Sequence, residues 1–279
     1  KLSALIKDHK VVTQGFIGSG KSGATTTLGR GGSDYSAALF AEAVNADVLE
    51  IWTDVTAIYT TDPRIEPSAR PITELSFDEA AELAYFGAKI LHPSSVRPAK
   101  EKNIVVRLKS TLDPTAEGTI ISTASNRNFI KAVAAKDGIT AIKIKSGRML
   151  LAYGFLRSVF EVFELYKTSI DMITTSEVAI SLTIDDTSNL DEIIKDLEKF
   201  GIVEVDRDQS IVCVVGDFLA ERAGFANEIM HALKEIPLRM VSYGGSRNNV
   251  SVLVNSDDKK KALNALNDYL FRQTGEGME

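Results

Sequence analysis

The chain has 279 residues and a net charge of -6, with 44% hydrophobic and 25% charged residues. This balance is typical of a soluble globular protein. Its acidic surplus argues against nucleic acid as a partner, because no excess of basic residues exists to neutralise phosphates. No run of about 18 apolar residues predicts a membrane span. With no evident signal sequence, we expect a cytoplasmic protein, whose single cysteine, Cys213, fills the core of a strand.

Strands and helices alternate over the first 110 residues. The predicted elements, in chain order, are a strand in "KVVTQGFIGS", a helix in "SDYSAALFAEAVNA" with Ser33 as N-cap, a strand in "DVLEIWTDV", a proline-rich loop in "TAIYTTDPRIEPSARPI", a helix in "SFDEAAELAYFGAKIL" with a capping box of Ser76 and Glu79, and a strand in "NIVVRLKS". This alternation predicts an α/β domain whose mainly parallel sheet is covered on both faces.

A different pattern follows Ser122 and occurs twice. The first copy predicts a helix, two strands and a second amphipathic helix that Gly201 ends. Its expected buried positions on the first helix and the second strand are Phe155, Leu156, Val159, Phe160 and Phe163, then Val178, Ile180, Leu182 and Ile184. The second copy begins at "SIVCVVG" and predicts the same order of elements. We therefore expect two tandem α+β modules of βαββαβ type, with domain limits 1–124, 125–204 and 205–279.

The stretch "GFIGSGKS", from Gly15 to Ser22, matches the P-loop pattern of nucleoside triphosphatases. A P-loop needs a helix to begin at its Lys-Ser, so that backbone N–H groups converge on the phosphates. Here Lys21 and Ser22 are followed by "GATTTLGRGGSD", whose glycines and threonines form helix poorly. We therefore interpret the match as accidental, and the stretch as a turn or a lid.

A better anion site lies in "TTTLGRGGSDYSAALFA". Its three glycines allow the backbone to approach a ligand closely. Among them Arg30 carries a planar guanidinium suited to a carboxylate, and Ser33 and Asp34 open a helix whose N–H groups can face an anion. The alternative is a structural turn that carries a surface arginine.

Longer motifs extend this hypothesis. GRGGSD, IWTDV, YTTDPR, ELSFDEAAELAYFGAKILHP and IVVRLKST closely resemble the aspartate kinases of the amino acid kinase family. The repeats around "SIDMITTSEVAISLTI" and "MVSYGGSRNNVSVLV" resemble the ACT regulatory modules of lysine-sensitive members. The resemblance implies the C-terminal part of an amino-acid-kinase αβα sandwich followed by two ACT modules, the second of which the family tends to insert within the first.

The resemblance also implies a reaction, namely ATP-dependent phosphorylation of the side-chain carboxylate of L-aspartate to 4-phospho-L-aspartate. Mg²⁺ is expected to be held mainly through the nucleotide phosphates. By the same resemblance, Arg30 with Ser33 binds the α-carboxylate of aspartate, and Asp34 orients Mg²⁺ or a phosphate-bound water. The positions that match the family's ATP contacts are Thr53, Asp54, Tyr59, Arg64, Lys89 and Ile90.

L-Lysine is the effector that the resemblance implies. The matching positions are Met149, Ala152, Phe155, Leu156, Ile170, Asp171, Ser176 and Glu177. Two carboxylates, those of Asp171 and Glu177, suit a cationic effector better than threonine. Ala152 stands where some relatives have serine, which removes one hydroxyl contact. We expect a homodimer through the ACT modules.

The chain begins at Lys1 rather than Met, and the Lys-Phe-Gly-Gly stretch that supplies the family's catalytic lysine is absent from it. We therefore expect an N-terminally truncated piece that is inactive alone. A non-catalytic ACT subunit is the alternative, although the nucleotide motifs argue against it. No dinucleotide fingerprint of a fused homoserine dehydrogenase follows the repeat. We interpret His9, His92 and His231 as structural or surface residues, because no metal-ligand spacing occurs.

Overall fold

The computed structural model describes residues 2–87, 95–123, 130–149, 153–217 and 219–272. The chain divides into two compact units. Unit 1 consists of Lys1–Ala134, Val214–Glu221 and Arg247–Asn249, and unit 2 of Ala135–Cys213, Arg222–Ser246 and Val250–Glu279. Within the described residues, no helix is both long and apolar enough to cross a bilayer.

Unit 1 is built around a four-stranded sheet. Its elements are α1 (Leu2–Leu5), β1 (Ile17–Ser19), β2 (Thr25–Thr27), α2 (Gly32–Val44), β3 (Val48–Thr53), β4 (Ile58–Tyr59), β5 (Pro71–Ile72), β6 (Glu74–Ser76), α3 (Phe77–Tyr85), α4 (Arg97–Glu101), β7 (Val105–Ser110) and β8 (Thr119–Ser122). The sheet has the strand order β3-β7-β8-β6. Strand β3 is parallel to β7 and β6 is parallel to β8, whereas β7 and β8 are antiparallel. The expected α/β architecture with a mainly parallel sheet is confirmed.

Helix α3 begins as its sequence predicts. The Ser76 hydroxyl accepts a hydrogen bond from the Glu79 N–H at 3.1 Å, and the Glu79 carboxylate accepts one from the Ser76 N–H at 2.7 Å. This capping box satisfies two N–H groups that a helix start leaves open. Burial raises the pKa of Glu79, and the hydrogen bond from Ser76 and the charge of Lys131 oppose that rise.

Two local predictions in unit 1 are wrong. Helix α2 begins at Gly32 with Gly31 as its N-cap, so Ser33 is already helical rather than the cap. The strand predicted in "KVVTQGFIGS" is confined to Ile17–Ser19. Val12 in the preceding stretch is 98% exposed, and that stretch pairs with no strand in the described part of the chain. Apolar residues without a neighbouring strand gain nothing from the extended conformation.

Unit 2 is built on one six-stranded sheet. The elements of its region of the chain are β9 (Ile130–Lys145), α5 (Phe155–Leu165), β10 (Ile173–Thr175), β11 (Ala179–Ile184), α6 (Leu190–Leu197), β12 (Ile202–Gly216), α7 (Phe225–Ala232), β13 (Met240–Ser242), β14 (Asn249–Asn255) and α8 (Lys259–Arg272). The strand order is β10-β11-β9-β12-β14-β13. Helices α5 and α6 pack together, as do α7 and α8, which confirms the internal repeat.

The two repeats share their long strands. The core of the first repeat takes Ile142 and Ile144 from β9, and Val203 and Val205 from the start of β12 pack against it. The second half of β12 contains the fully buried Cys213, as predicted. The predicted domain limit at residue 204 lies inside β12, and the module limits stay a prediction.

The buried faces of the first repeat differ in part from the prediction. Val159 and Phe163 are buried as predicted, and Val162 is buried as well. Leu156 and Phe160, which were expected to be buried, are 37% and 39% exposed. Val178 precedes β11 and is exposed, whereas Ile180, Leu182 and Ile184 are buried as expected. A helix packed on one side of a sheet buries a narrower stripe than the apolar residues of α5 would cover.

Helix α6 ends at Leu197, several residues before Gly201. The role of Gly201 is different from the predicted helix stop. A Cβ at this position would lie 2.2 Å from the carbonyl oxygen of Lys145. The close approach of the chain to the end of β9 therefore requires glycine at position 201.

Gly201→Ala tests this requirement, with Gly147→Ala as the matched control because a Cβ at Gly147 would meet no atom within 4 Å. We expect Gly201→Ala to destabilise the protein by about 2 kcal/mol and lower Tm by roughly 4 to 8 °C. Gly147→Ala should stay within about 0.5 kcal/mol of the wild type. Thermal unfolding followed by circular dichroism measures both variants. Equal Tm values for the two would contradict the close approach.

Candidate functional site

The P-loop match forms a β-hairpin. Strands β1 and β2 are antiparallel, with Ile17 opposite Thr27. Lys21 and Ser22 lie in the turn between them, which the Gly20 N–H closes by donating to the Ala24 carbonyl at 2.8 Å. No helix begins at Lys21, so the backbone cannot cradle a phosphate as a P-loop does. The interpretation of the match as accidental is confirmed.

The glycine-rich turn after this hairpin presents Arg30. Gly29 and Gly31 have φ values of 75° and 70°, a left-handed conformation that glycine adopts without strain. A Cβ at Gly32 would lie 2.9 Å from the Leu28 Cβ and 3.0 Å from the Phe16 ring. Helix α2 therefore starts directly against the hairpin, and only glycine fits at that contact.

The start of α2 can receive an anion. Its N-cap, Gly31, has no side chain to cap the helix. The Gly32 N–H donates to the Gly29 carbonyl at 3.0 Å, and the next N–H groups, those of Ser33 and Asp34, can face an anion. Arg30 and Ser33 are exposed beside them, and Asp34 is half-buried in the first turn. Burial raises the pKa of Asp34. The structure thus brings Arg30, Ser33 and Asp34 together at one helix start, as predicted.

The candidate nucleotide residues Thr53 and Asp54 lie where β3 ends. The Thr53 hydroxyl donates to the Asp54 carboxylate at 3.1 Å, and the Thr53 carbonyl accepts from the N–H and the hydroxyl of Thr111 at 2.7 and 2.9 Å. The Tyr59 hydroxyl lies 2.7 Å from that of Thr56. These contacts fix the loop that follows the strand.

Arg64 is exposed and forms an ion pair with Asp62 at 2.7 Å. The hydrogen bonds that Arg64 donates to the Asp62 carboxylate, and the negative charge of that carboxylate, raise the pKa of Arg64. A phosphate would therefore share this guanidinium with Asp62 in the conformation described. The predicted Lys89 and Ile90 lie outside the described residues, as does His92.

Lys109 is a cation near the end of β3 that the sequence reasoning missed. It stands opposite Trp52 in the pairing of β3 with β7, and its Nζ lies 5.8 Å from the centre of the Trp52 ring. It also donates to the Ala116 carbonyl at 2.8 Å. Its place in the "IVVRLKST" motif was the available signal. Only the strand register shows that Lys109 lies opposite Trp52, the residue that precedes Thr53.

The predicted effector residues separate into a packed group and an exposed group. Met149, Phe155 and Ile170 pack against the core of the first repeat. Leu156, Ser176 and Glu177 are exposed, and Ala152 lies outside the described residues. A depression of about 380 Å³ lies at the start of α5, and it is lined by Tyr153, Gly154, Phe155, Arg157, Ser158, Glu161 and Phe200.

Asp171 lies in an ion cluster that the sequence did not predict. Its side chain is 1% exposed and pairs with Lys136 at 2.8 Å, and Lys136 also pairs with Asp185 at 2.8 Å. Burial alone would lower the pKa of Lys136, but the hydrogen bonds and charges of the two carboxylates outweigh that effect and raise it. Lys136 therefore stays charged at neutral pH.

Two of the histidines, His9 and His231, lie in the part of the chain that the structure describes, and neither is in these sites. His9 and His231 are exposed, and the His231 ring lies 5.4 Å from that of Tyr269. Across the part of the chain that the structure describes, no group of three His, Cys, Asp or Glu side chains could hold a metal ion.

Comparison with known proteins identifies two regions. The model described as "Amino acid kinase family" matches residues 1–110, and that described as "ACT domain" matches residues 212–270. Lysine-sensitive aspartokinase 3 of Escherichia coli (strain K12) is 42% identical over 275 residues, which are 95% of this chain and 61% of that protein. Aspartokinase 3, chloroplastic, of Arabidopsis thaliana is 41% identical over 275 residues, 93% of this chain and 49% of that protein.

Two solved structures that resemble this chain are also aspartokinases. The R-state complex of Escherichia coli aspartokinase III with aspartate and ADP has a TM-score of 0.86 and 40% identity, covering 96% of this chain and 62% of that one. The T-state complex of the same enzyme with lysine and aspartate has a TM-score of 0.79 and 41% identity, covering 93% of this chain and 60% of that one. The chain thus spans roughly half to three-fifths of the length of these relatives. Because the similarity runs through both units, the chain belongs to the aspartokinase family.

Proposed function

We propose that the protein is an aspartate kinase, which transfers the γ-phosphoryl group of ATP to the side-chain carboxylate of L-aspartate. The observation that carries this proposal is the exposed Arg30 in a glycine turn at the open start of α2. The relative with 40% identity that was solved with aspartate and ADP supports the choice of substrates.

The site must bring two anions together, the aspartate carboxylate and the triphosphate. Arg30 would bind the α-carboxylate through two parallel hydrogen bonds, with the Ser33 hydroxyl and the first N–H groups of α2 beside it. This contact anchors the end of aspartate that does not react, and the side-chain carboxylate extends from it towards the γ-phosphorus. The carboxylate oxygen then forms a bond to phosphorus as the bond to the β–γ bridging oxygen breaks, and ADP leaves.

For the nucleotide we propose the residues around the end of β3, namely Thr53, Asp54, Tyr59 and Arg64, with Lys109 added from the structure. Lys89 and Ile90 remain proposals from the sequence motif. Mg²⁺, when bound, supplies positive charge that offsets the repulsion between the phosphates and the aspartate. Asp34 offers the oxygen ligand that Mg²⁺ prefers. Burial raises the pKa of this carboxyl, and a nearby cation would oppose that rise by favouring the ionised form.

Arg30→Ala tests the substrate role of the turn. Losing a bidentate charge-assisted pair should raise KM for aspartate by about 10- to 100-fold, and Arg30→Lys should recover only part of that loss. The readout is aspartate-dependent ADP release by the intact protein. Arg97→Ala is the control, because Arg97 is an exposed arginine of unit 1 that pairs with Glu101.

Wild-type kinetics in Arg30→Ala would contradict the proposed role of Arg30. An intact wild-type protein that releases no ADP with aspartate would contradict the kinase function itself. In that case a retained response to lysine would favour the alternative, a non-catalytic effector-binding subunit.

We further propose that L-lysine regulates the protein through the first ACT module. The lysine-sensitive relative supports this effector, and Met149, Phe155 and Ile170 supply apolar surface for its carbon chain. The carboxylate of Asp171 is buried and held by Lys136, so an effector ammonium must compete with the Lys136 ammonium for it. In one conformation Lys136 would pair with Asp171, and in the other the effector ammonium would take its place. Lysine would shift the population towards the second conformation.

Calorimetric titration tests the effector. We expect saturable heat with L-lysine and none with L-threonine, because a second ammonium is needed to compete for Asp171. Asp171→Asn should abolish the lysine heat, whereas Asp186→Asn, a change at an exposed carboxylate of the same repeat, should leave it. Heat with threonine alone, or unchanged heat in Asp171→Asn, would refute lysine recognition by this carboxylate.

We also propose that the protein is a homodimer formed through its ACT modules. Unit 2 exposes apolar side chains on α5, on β10 and just before β11, namely Leu156, Phe160, Leu165, Ile173 and Val178. A second copy would remove this surface from water. Analytical ultracentrifugation should show a dimer for the wild type and a weaker dimer for Phe160→Glu. A monomeric wild type at micromolar concentration would exclude the proposal.

A further inference from the structure

A buried hydroxyl on α2 connects this helix to the β1–β2 hairpin. Ser36 is 7% exposed, and its Oγ accepts a hydrogen bond from the Phe16 N–H at 3.1 Å and donates one to the Gly32 carbonyl at 2.8 Å. A bond to the carbonyl four residues earlier is common for serine in a helix. The bond from Phe16 is different, because it ties the hairpin to the helix across 20 positions of sequence.

Phe16 adopts an unfavourable backbone conformation at this contact. Its φ is 72°, in the left-handed region that a bulky residue occupies only when its surroundings hold it there. Its N–H is held by Ser36, and its carbonyl accepts the Leu28 N–H at 2.8 Å. One residue of the hairpin therefore contacts the chain on both sides of the turn that carries Arg30.

We infer that Ser36 is a positioning residue for Arg30. Its hydroxyl holds Phe16 against α2, and the Phe16 carbonyl holds Leu28, so the turn from Leu28 to Gly32 is fixed at both ends. The Ser95 hydroxyl donates to the Gly31 carbonyl at 3.0 Å and supplies a separate restraint. Loss of Ser36 alone should therefore loosen the turn without releasing it. This inference rests on the proposed function, in which Arg30 binds aspartate.

The position of Arg30 should appear in KM rather than in kcat. Arg30 is proposed to hold the α-carboxylate, which does not react, so its contact is equally strong before and during phosphoryl transfer. Loss of such uniform binding raises KM and leaves kcat unchanged. We expect about a 5- to 10-fold higher KM for aspartate, of the order that one weakened hydrogen bond to a charged group produces.

Two substitutions of equal shape isolate the hydroxyl. In the intact protein, Ser36→Thr keeps the hydroxyl and Ser36→Val replaces it by a methyl group. The Thr variant should show the wild-type KM for aspartate and the Val variant the raised value, with KM for ATP the same in both. Ser210→Ala is the matched control, since Ser210 is also a buried hydroxyl with two contacts, at 2.8 Å to Asp137 and 3.0 Å to Ser256.

The outcomes separate positioning from simple stability. A purely structural role would lower the active fraction, and hence kcat, of Ser36→Val and Ser210→Ala alike, with KM for aspartate unchanged. Equal KM values for the Thr and Val variants overturn the inference while leaving the proposed function intact. If Ser36→Val does not fold, Ser36→Ala is compared with Ser36→Thr in the same assay. A wild type without aspartate-dependent ADP release removes both the function and the inference.

Discussion

Close backbone contact at Gly32 is the constraint on which the candidate substrate site depends. Because a Cβ there would meet both Leu28 and Phe16, the hairpin can lie directly on the first turn of α2. That contact brings the Phe16 N–H to the Ser36 hydroxyl and leaves the start of the helix without a side-chain cap. The site thus combines an open helix start, which favours an anion, with a guanidinium on a turn held from both sides. The segment that matches the P-loop pattern, residues 15–22, is part of the β1–β2 hairpin that supports this turn.

In unit 2 the corresponding constraint is electrostatic. Lys136 lies between Asp171 and Asp185, and a mostly buried cation is tolerated only with such partners. Lys136 pairs with both carboxylates, so an incoming ammonium group would enter a site that already binds a cation. This arrangement is the physical basis of the proposal that a cationic effector binds the module. The proposed binding of an effector to Asp171 would require a rearrangement, because this carboxylate is almost inaccessible while Lys136 holds it.

Local sequence signals were reliable where their physical cause is local. The capping box of Ser76 and Glu79 needs only residues three positions apart, and it forms as predicted. The repeat followed from its periodicity, and the poor helix after Lys21 followed from composition. Some local signals failed, such as Ser33 as an N-cap, and other predictions were wrong because the result depends on a neighbour distant in sequence. Leu156 and Phe160 match the helical period of α5 yet stay exposed, because the sheet covers only one side of that helix.

The sequence by itself determined the family, the α/β region followed by paired modules, and the residues Arg30, Ser33 and Asp34, which lie together because they are consecutive at one helix start. Only the tertiary structure decided which distant side chains meet. The pairing of Lys109 with Trp52 depends on the register of β3 against β7, that of Lys136 with Asp171 on the packing of unit 2, and that of Ser36 with Phe16 on the fit of a hairpin against Gly32. Each contact joins residues at least 20 positions apart, and local periodicity and spacing carry no information on such distances, because strand register and packing are set by the whole folded unit.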